Sequence, residues 1–220
     1  MKTALITGAN RGIGLALTEV YLNQGWQVIA VCRSSSVELS ATSAEVIEGI
    51  DVAKPEDVKM LCSKLGNRTI DLLINNAGIL RGDHLGNINY EDVTQQLEIN
   101  AVAPIRIAEA LLDNLGKGGK IALITSRMGS ISDNSSGGYY GYRMSKAALN
   151  AGATSLALDV KKHDIAVAIL HPGYVQTAMV GFDGDITATE AATRLSQRIA
   201  ELNMQNTGGF WHSNGEQLPW

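Results

Sequence analysis

Six short apolar runs punctuate the chain: TALIT (3–7), QVIAV (27–31), EVIEGI (45–50), IDLLIN (70–75), KIALIT (120–125) and IAVAIL (165–170). Each is nearly continuous in aliphatic residues instead of alternating with polar ones. A strand with water on one face alternates. A strand buried on both faces does not, and that is the condition of a parallel sheet covered by helices. Helical stretches lie between the runs, near 12–24, 55–65, 90–113, 139–162 and 188–203. Pro55 suits a first helical position, where its missing N–H costs nothing. Asn89 suits an N-cap before Tyr-Glu-Asp. Thr187-Ala-Thr-Glu190 has the form of a capping box ahead of the stripe Ala192, Leu195, Ile199 and Leu202. Strand–helix alternation throughout predicts an α/β fold: a Rossmann-like doubly wound parallel sheet in a single domain over residues 1–220.

Composition excludes several functions. A net charge of -4 leaves no basic footprint for nucleic acid and no polybasic patch for a membrane. The start, MKTALITGAN, meets Gly8 too soon for a signal sequence or a spanning helix, so a cytoplasmic location is expected. Cys32 and Cys62 belong to no CxxC pattern and read as free thiols. His84, His163, His171 and His212 are scattered without an HExxH motif, so no metal is expected.

TGANRGIG (7–14) joins the first strand to the first helix. Glycines at 8, 12 and 14 leave room for backbone N–H groups and a helix N-terminus to approach a pyrophosphate. The spacing is G-x3-G-x-G, unlike the commonest dinucleotide fingerprint, and its strength comes from its place between strand and helix. Strand two ends VCRSSS, with Cys32 about where an NAD-binding chain carries an acid for the ribose hydroxyls. Arg33 follows, and its fork suits a 2′-phosphate; Arg11 adds a second positive charge. This favours NADP (NADPH) over NAD, the competing reading being two solvated arginines. The loops 126–138 and 172–187 follow strand ends, where open α/β sheets bind ligands.

Two features in the helical stretches need a reason. Asn100 lies within QLEINAVAPI, where an asparagine has poor helix propensity, and Pro104 removes the bond to its carbonyl. A local kink holding a water is the expectation. GGYYGYRMSKAA (137–148) holds three tyrosines, and two of them have a cation four residues on: Tyr139 with Arg143, and Tyr142 with Lys146. Bringing a phenol from pKa near 10 to neutrality takes about 4 kcal/mol. One cation about 4 Å away at an effective dielectric near 20 contributes about as much. Spacing alone leaves both pairs open.

TGANRGIG together with NNAG (75–78), Asn100, Ser126, YRMSK (142–146) and PGYVQT (172–177) resembles the short-chain dehydrogenase/reductase family in its short form. The ending GGFWHSNGEQLPW resembles the C-factor and carbonyl-reductase-like members. The motifs stand in the family's order and span most of the chain. The resemblance implies a catalytic set of Asn100, Ser126, Tyr142 and Lys146. It implies that Gly8, Asn10, Arg11, Gly12, Ile13 and Gly14 line the pyrophosphate, that Asp51 and Val52 sit by the adenine, and that Asn76, Ala77 and Gly78 run beside the adenosine ribose. Pro172, Gly173, Val175 and Thr177 would border the nicotinamide, while Tyr142 and Lys146 also reach the cofactor. Ser130 competes with Ser126. The family's serine stands about thirteen residues before the tyrosine, which falls on Gly129, but the loop SDNSSGG carries about three extra residues, which favours Ser126. The implied reaction is NADP(H)-dependent interconversion of a small-molecule carbonyl and an alcohol. Pairing of copies through the Ala-rich helix would give a homo-oligomer. The alternative is an NAD(P)-binding signalling protein of the C-factor type with little turnover.

Overall fold

The computed structural model describes all 220 residues. Seven parallel strands form one sheet in the order β3-β2-β1-β4-β5-β6-β7. They are β1 (Thr3–Thr7), β2 (Gln27–Val31), β3 (Glu45–Ile47), β4 (Ile70–Asn75), β5 (Leu115–Ile124), β6 (Ala166–His171) and β7 (Phe210–His212). The helices are α1 (Gly12–Asn23), α2 (Val37–Ser40), α3 (Pro55–Leu65), α4 (Tyr90–Leu97), α5 (Ala103–Ala110), α6 (Tyr140–Asp159) and α7 (Ala188–Glu201).

The continuous apolar runs are explained by two cores, one on each face. Leu5 of β1 belongs to the core under α3, α5 and α6, while Ala4 and Ile6 belong to the one under α1 and α7. All three are fully buried. Burying a Leu or Ile side chain contributes roughly 1.5–3 kcal/mol, so strands filled on both faces supply much of the driving force. The strand order reverses between β1 and β4, which places the ends of those two strands side by side at the switch point.

The expected caps form. Asn89 Oδ1 accepts from the N–H groups of Glu91 and Asp92, and Thr187 Oγ1 accepts from Glu190 N. Glu190 does not close the box; it pairs with Arg194 instead. Three departures have physical causes. The run 45–50 stops as a strand at Ile47, because Gly49 turns the chain at φ +79° and sends its N–H to Arg33 O. The stretch 90–113 is two helices joined by a wider π turn at Glu98–Val102, centred on Asn100, with Pro104 in the first turn of α5. β7 has no counterpart among the expected strands. Its three residues extend the sheet past β6, and Phe210 is buried in the core and stacked on Trp220, ring centres 5.3 Å apart. The Trp220 backbone oxygen accepts from Ser132 N, Ser132 Oγ and Ser130 Oγ, which ties the tail to the loop after β5. No helix is long and apolar enough to cross a membrane.

Candidate active site

The carboxyl ends of β1, β4, β5 and β6 carry the residues singled out in the sequence. Gly8 has φ +65° and Gly12 φ +54°, conformations that favour glycine. A Cβ at Gly14 would stand 2.2 Å from Gly8 O, and one at Gly8 would stand 2.9 Å from Ala77 Cα. These glycines are therefore required by the close approach of α1 and the β4 end to the turn. Asn76 braces the same turn, donating from Nδ2 to Thr7 O at 3.0 Å and Gly8 O at 3.2 Å. Thr7, which the sequence reading passed over, completes the brace: its hydroxyl accepts from Asn76 N and Ala77 N, both at 3.1 Å. The first turn of α1, led by Arg11 and containing Ile13, has no side-chain cap and no acidic residue. The N–H groups of Gly12, Ile13 and Gly14 have no protein acceptor, which suits a diphosphate.

Asn10 donates from Nδ2 to Ser34 O at 3.0 Å and so anchors the loop that carries Arg33. Arg11 and Arg33 are both exposed, and neither takes part in an ion pair. Cys32, at the strand end, is buried. Asp51 behaves locally as a turn residue: Oδ1 accepts from Ala53 N, and its own N–H donates to Asp57 Oδ2. Val52 beside it is buried.

Asn100 is fully buried in the π turn. Its Oδ1 accepts from Ile79 N, and its Nδ2 donates to Ile79 O and to Ser145 Oγ, at 2.9–3.0 Å. Its side chain thus pins the segment that follows NNAG, and a Cβ on Gly78 would come within 3.1 Å of Asn100 Oδ1. Gln96, fully buried and four residues earlier on the same helical face, accepts from Arg81 N at 2.8 Å. A buried glutamine at that spacing from Asn100 is a legible signal that the sequence reading missed.

The thirteen-residue spacing meets a steric bar. A Cβ on Gly129 would lie 2.7 Å from the carbonyl carbon of Lys146 and 2.8 Å from its oxygen, so no serine fits at 129. Ser130 is buried and engaged with Trp220 O and Asp133 N. Ser126, directly after β5, is buried beside Tyr142 and accepts from Met128 N at 3.1 Å.

Tyr142 and Lys146 lie one turn apart on α6, both buried, with Nζ 5.8 Å from the centre of the phenol ring. Lys146 Nζ donates to Ile124 O at 3.0 Å. Burial pushes Tyr142 up to about 12; the Ser126 hydroxyl pulls the other way without closing a hydrogen bond of ordinary geometry on it. Burial lowers Lys146 to about 8. The downward shift of Tyr142 expected from one neighbouring cation is thus not met. The ammonium sits over the ring on a backbone carbonyl, and the dryness that strengthens a charge pair also penalises the phenolate. Tyr139 is 42% exposed and lies outside the helix in the left-handed region, φ 51°. Arg143 turns away from its phenol toward Gly138 O and Ser136 Oγ. The Tyr139–Arg143 spacing therefore makes no pair.

After β6, Pro172 O accepts from the buried Ser213, and Gly173 takes φ +101°. The loop folds back through a bridge between Val175 and Ile186. Thr177 lies against the glycine turn, where a Cβ on Gly12 would stand 3.3 Å from its Cγ2. His171 and His212 pack edge-on at 4.8 Å beside this loop. The strand ends thus carry the N–H groups of the glycine turn after β1 and, at the end of β5 and on α6, a buried hydroxyl, phenol and ammonium.

Residues 2–199 match the family model for short chain dehydrogenase. A 1-hydroxy-2-glutathionyl-2-methyl-3-butene dehydrogenase of Rhodococcus sp. strain AD45 is 36% identical over the full length of both chains. The C-signal protein of Myxococcus xanthus is 40% identical over 69% of this chain and 93% of its own length. The solved structure of an NADPH-bound carbonyl reductase from chicken fatty liver superposes with a TM-score of 0.89 at 28% identity, covering 100% of this chain and 99% of that one. With a family match over nearly the whole chain, a full-length dehydrogenase relative and a shared fold, this oxidoreductase belongs to the short-chain dehydrogenase/reductase family.

Proposed function

We propose that the chain is an NADP(H)-dependent reductase of a ketone or aldehyde, or the reverse alcohol dehydrogenase, with Tyr142 as general acid and base. The observation that carries this reading is the burial of Tyr142 and Lys146 on one face of α6 with Ser126 beside the phenol at the end of β5. In the reducing direction, carbonyl carbon receives a hydride and carbonyl oxygen receives a proton. A nicotinamide cofactor, held by the glycine turn and by Gly173, Val175 and Thr177, would supply that hydride.

Tyr142 donates the proton to the oxygen as negative charge grows there. A phenol pushed up to about 12 keeps its proton until that moment. Ser126 hydrogen-bonds the same oxygen and orients the substrate. Lys146 lies against the ring and stabilises the phenolate left behind; with one donor on Ile124 O, two remain for a ribose hydroxyl. Asn100, held in the π turn Glu98–Val102, fixes the segment after NNAG through Ile79.

The cofactor preference rests on two exposed arginines without ion partners, flanking a turn whose N–H groups are uncapped. Asn10 supports the same site by holding the Arg33 loop to the glycine turn. On this reading Pro172, Gly173, Val175 and Thr177 would border the nicotinamide, and Asp51 and Val52 the adenine. The likeness to the NADPH-bound carbonyl reductase from chicken points the same way. The rival, a cofactor-binding signalling protein, draws on the likeness to C-signal. Both readings are tested by following NADPH oxidation over a panel of ketones and aldehydes. Tyr142→Phe should lose about 10²–10⁴-fold in kcat, and Tyr139→Phe should stay within a few-fold of wild type. NADPH binding with no turnover on any carbonyl would favour the rival, and the opposite ranking of the two tyrosines would reassign the acid.

A further inference from the structure

The segment 79–83 is tied to α4, to the π turn after it and to the start of α6, and is held at every second residue. Asn100 binds both the N–H and the oxygen of Ile79, and Gln96 accepts from Arg81 N. The third hold runs the other way. α6 has no side-chain cap of its own, because Tyr139 at the capping position is left-handed and its side chain is turned out. Its first N–H groups go instead to Asp83. Tyr139 N donates to Asp83 O at 2.8 Å, Tyr140 N to Asp83 Oδ1, and Gly141 N to Asp83 Oδ2 at 3.1 Å. One residue, 58 positions away in sequence, therefore satisfies the start of the helix in which Tyr142 is the third residue. Gly141 is the matching requirement on the helix side, since a Cβ there would stand 2.5 Å from Gln96 Nε2.

We propose that Asp83 is a positioning residue for the reaction, capping α6 from the β4 loop and so fixing Tyr142 relative to the Asn100 end of the same loop. An ordinary cap would stabilise the helix from within. This one also makes the position of the acid depend on the loop, because Asn100, Gln96 and Asp83 form a single strut between the two helices. Left-handed backbone at Tyr139 is a second consequence of the same anchor, since its N–H must face Asp83 O.

The inference rests on Tyr142 being the acid, and the test separates the two. Wild type, Asp83→Asn and Asp83→Ala are compared for steady-state reduction of a carbonyl that wild type reduces, NADPH affinity by fluorescence, and amide hydrogen exchange. In Asp83→Ala, kcat should fall at least about tenfold with NADPH affinity within about twofold. Exchange at Tyr140 and Gly141 should rise about tenfold while β1 and β4 stay protected. Asp83→Asn keeps one acceptor oxygen and should recover part of kcat. An Asp83→Ala protein with kcat within about twofold of wild type overturns the proposal. If Asp83→Ala fails to fold, Asp83→Asn decides: NADPH affinity unchanged with kcat reduced about three- to tenfold supports it, and wild-type kcat overturns it. A wild type that binds NADPH and reduces nothing removes the reading of Tyr142 instead, with the exchange data still reporting on the cap.

Discussion

Gly129→Ala places a single methyl group between the loop after β5 and the backbone of α6. Its Cβ would meet the carbonyl carbon of Lys146 at 2.7 Å, where ordinary contact begins at 3.4 Å. The opposing atoms are helical backbone and cannot swing aside, so loop and helix must part by about 0.7 Å, the difference between those distances. Ser126 is three residues back on the loop and Tyr142 one turn back on the helix, so the displacement opens the space between the two hydroxyls. Overpacking of this kind costs about 1–3 kcal/mol of stability. Misplacing reacting groups by about 1 Å costs about 10²-fold in rate, so kcat/KM should fall roughly 10- to 100-fold, or about 1.4–2.7 kcal/mol. NADPH affinity should change less than the rate, because the glycine turn after β1 lies elsewhere and only the contact from Lys146 is disturbed. The assay is initial-rate NADPH oxidation with a responsive carbonyl, alongside thermal unfolding and NADPH titration. Wild-type kcat/KM and an unchanged Tm in Gly129→Ala would refute the argument that this contact sets the spacing.

Two further predictions follow from charge. Lys146 has its folded pKa lowered to about 8 from 10.5, so between those values the unfolded chain holds the proton and the folded one does not. Stability on this account rises with pH through that window, and below it the folded state carries the full penalty. Lys146→Met should abolish turnover yet raise stability at pH 7 by up to about 3 kcal/mol, with the gain gone near pH 10.5; a variant equally destabilised at both pH values would contradict this. Arg33→Ala should reduce the NADPH-over-NADH preference by about tenfold, or 1.4 kcal/mol, and added salt should erode the wild-type preference in the same sense. Equal wild-type affinities for the two cofactors, measured by fluorescence titration, would end the assignment to Arg33.

The parts of the molecule that were legible in sequence are those whose cause is local or periodic. β1, β2, β4 and β6 stand within a residue of their apolar runs, since burial on both faces writes itself into every position. Asn100 announced itself as a polar residue in an apolar helix with a proline downstream, and a π turn is there. The tyrosine pairs were separable only in three dimensions: Tyr139 is off the helix, and four-residue spacing has no meaning outside it. β7 escaped because three residues next to glycines form a strand only when β6 offers an edge. Asp83 escaped for a related reason, for its partners are main-chain N–H groups 57 and 58 residues on, which carry no sequence signature. Gly129 was legible as a misplaced serine, and what it touches was not.

The stitch between Trp220 and the loop after β5 gives the chain an order of completion. Ser132 and Trp220 are 88 residues apart. At about 5–20 residues per second, the ribosome delivers the second roughly 4–18 seconds after the first. Late in that interval a nascent chain already carries the glycine turn, the π turn, α6 and β6, while Ser130 and Ser132 have nothing to hold and β6 shows a bare edge to its neighbours. Such an edge is where stalled chains pair with one another. Residues 210–220 therefore act as a latch: they cover the β6 edge and tie down the loop that follows Ser126, and neither contact can form before they are made.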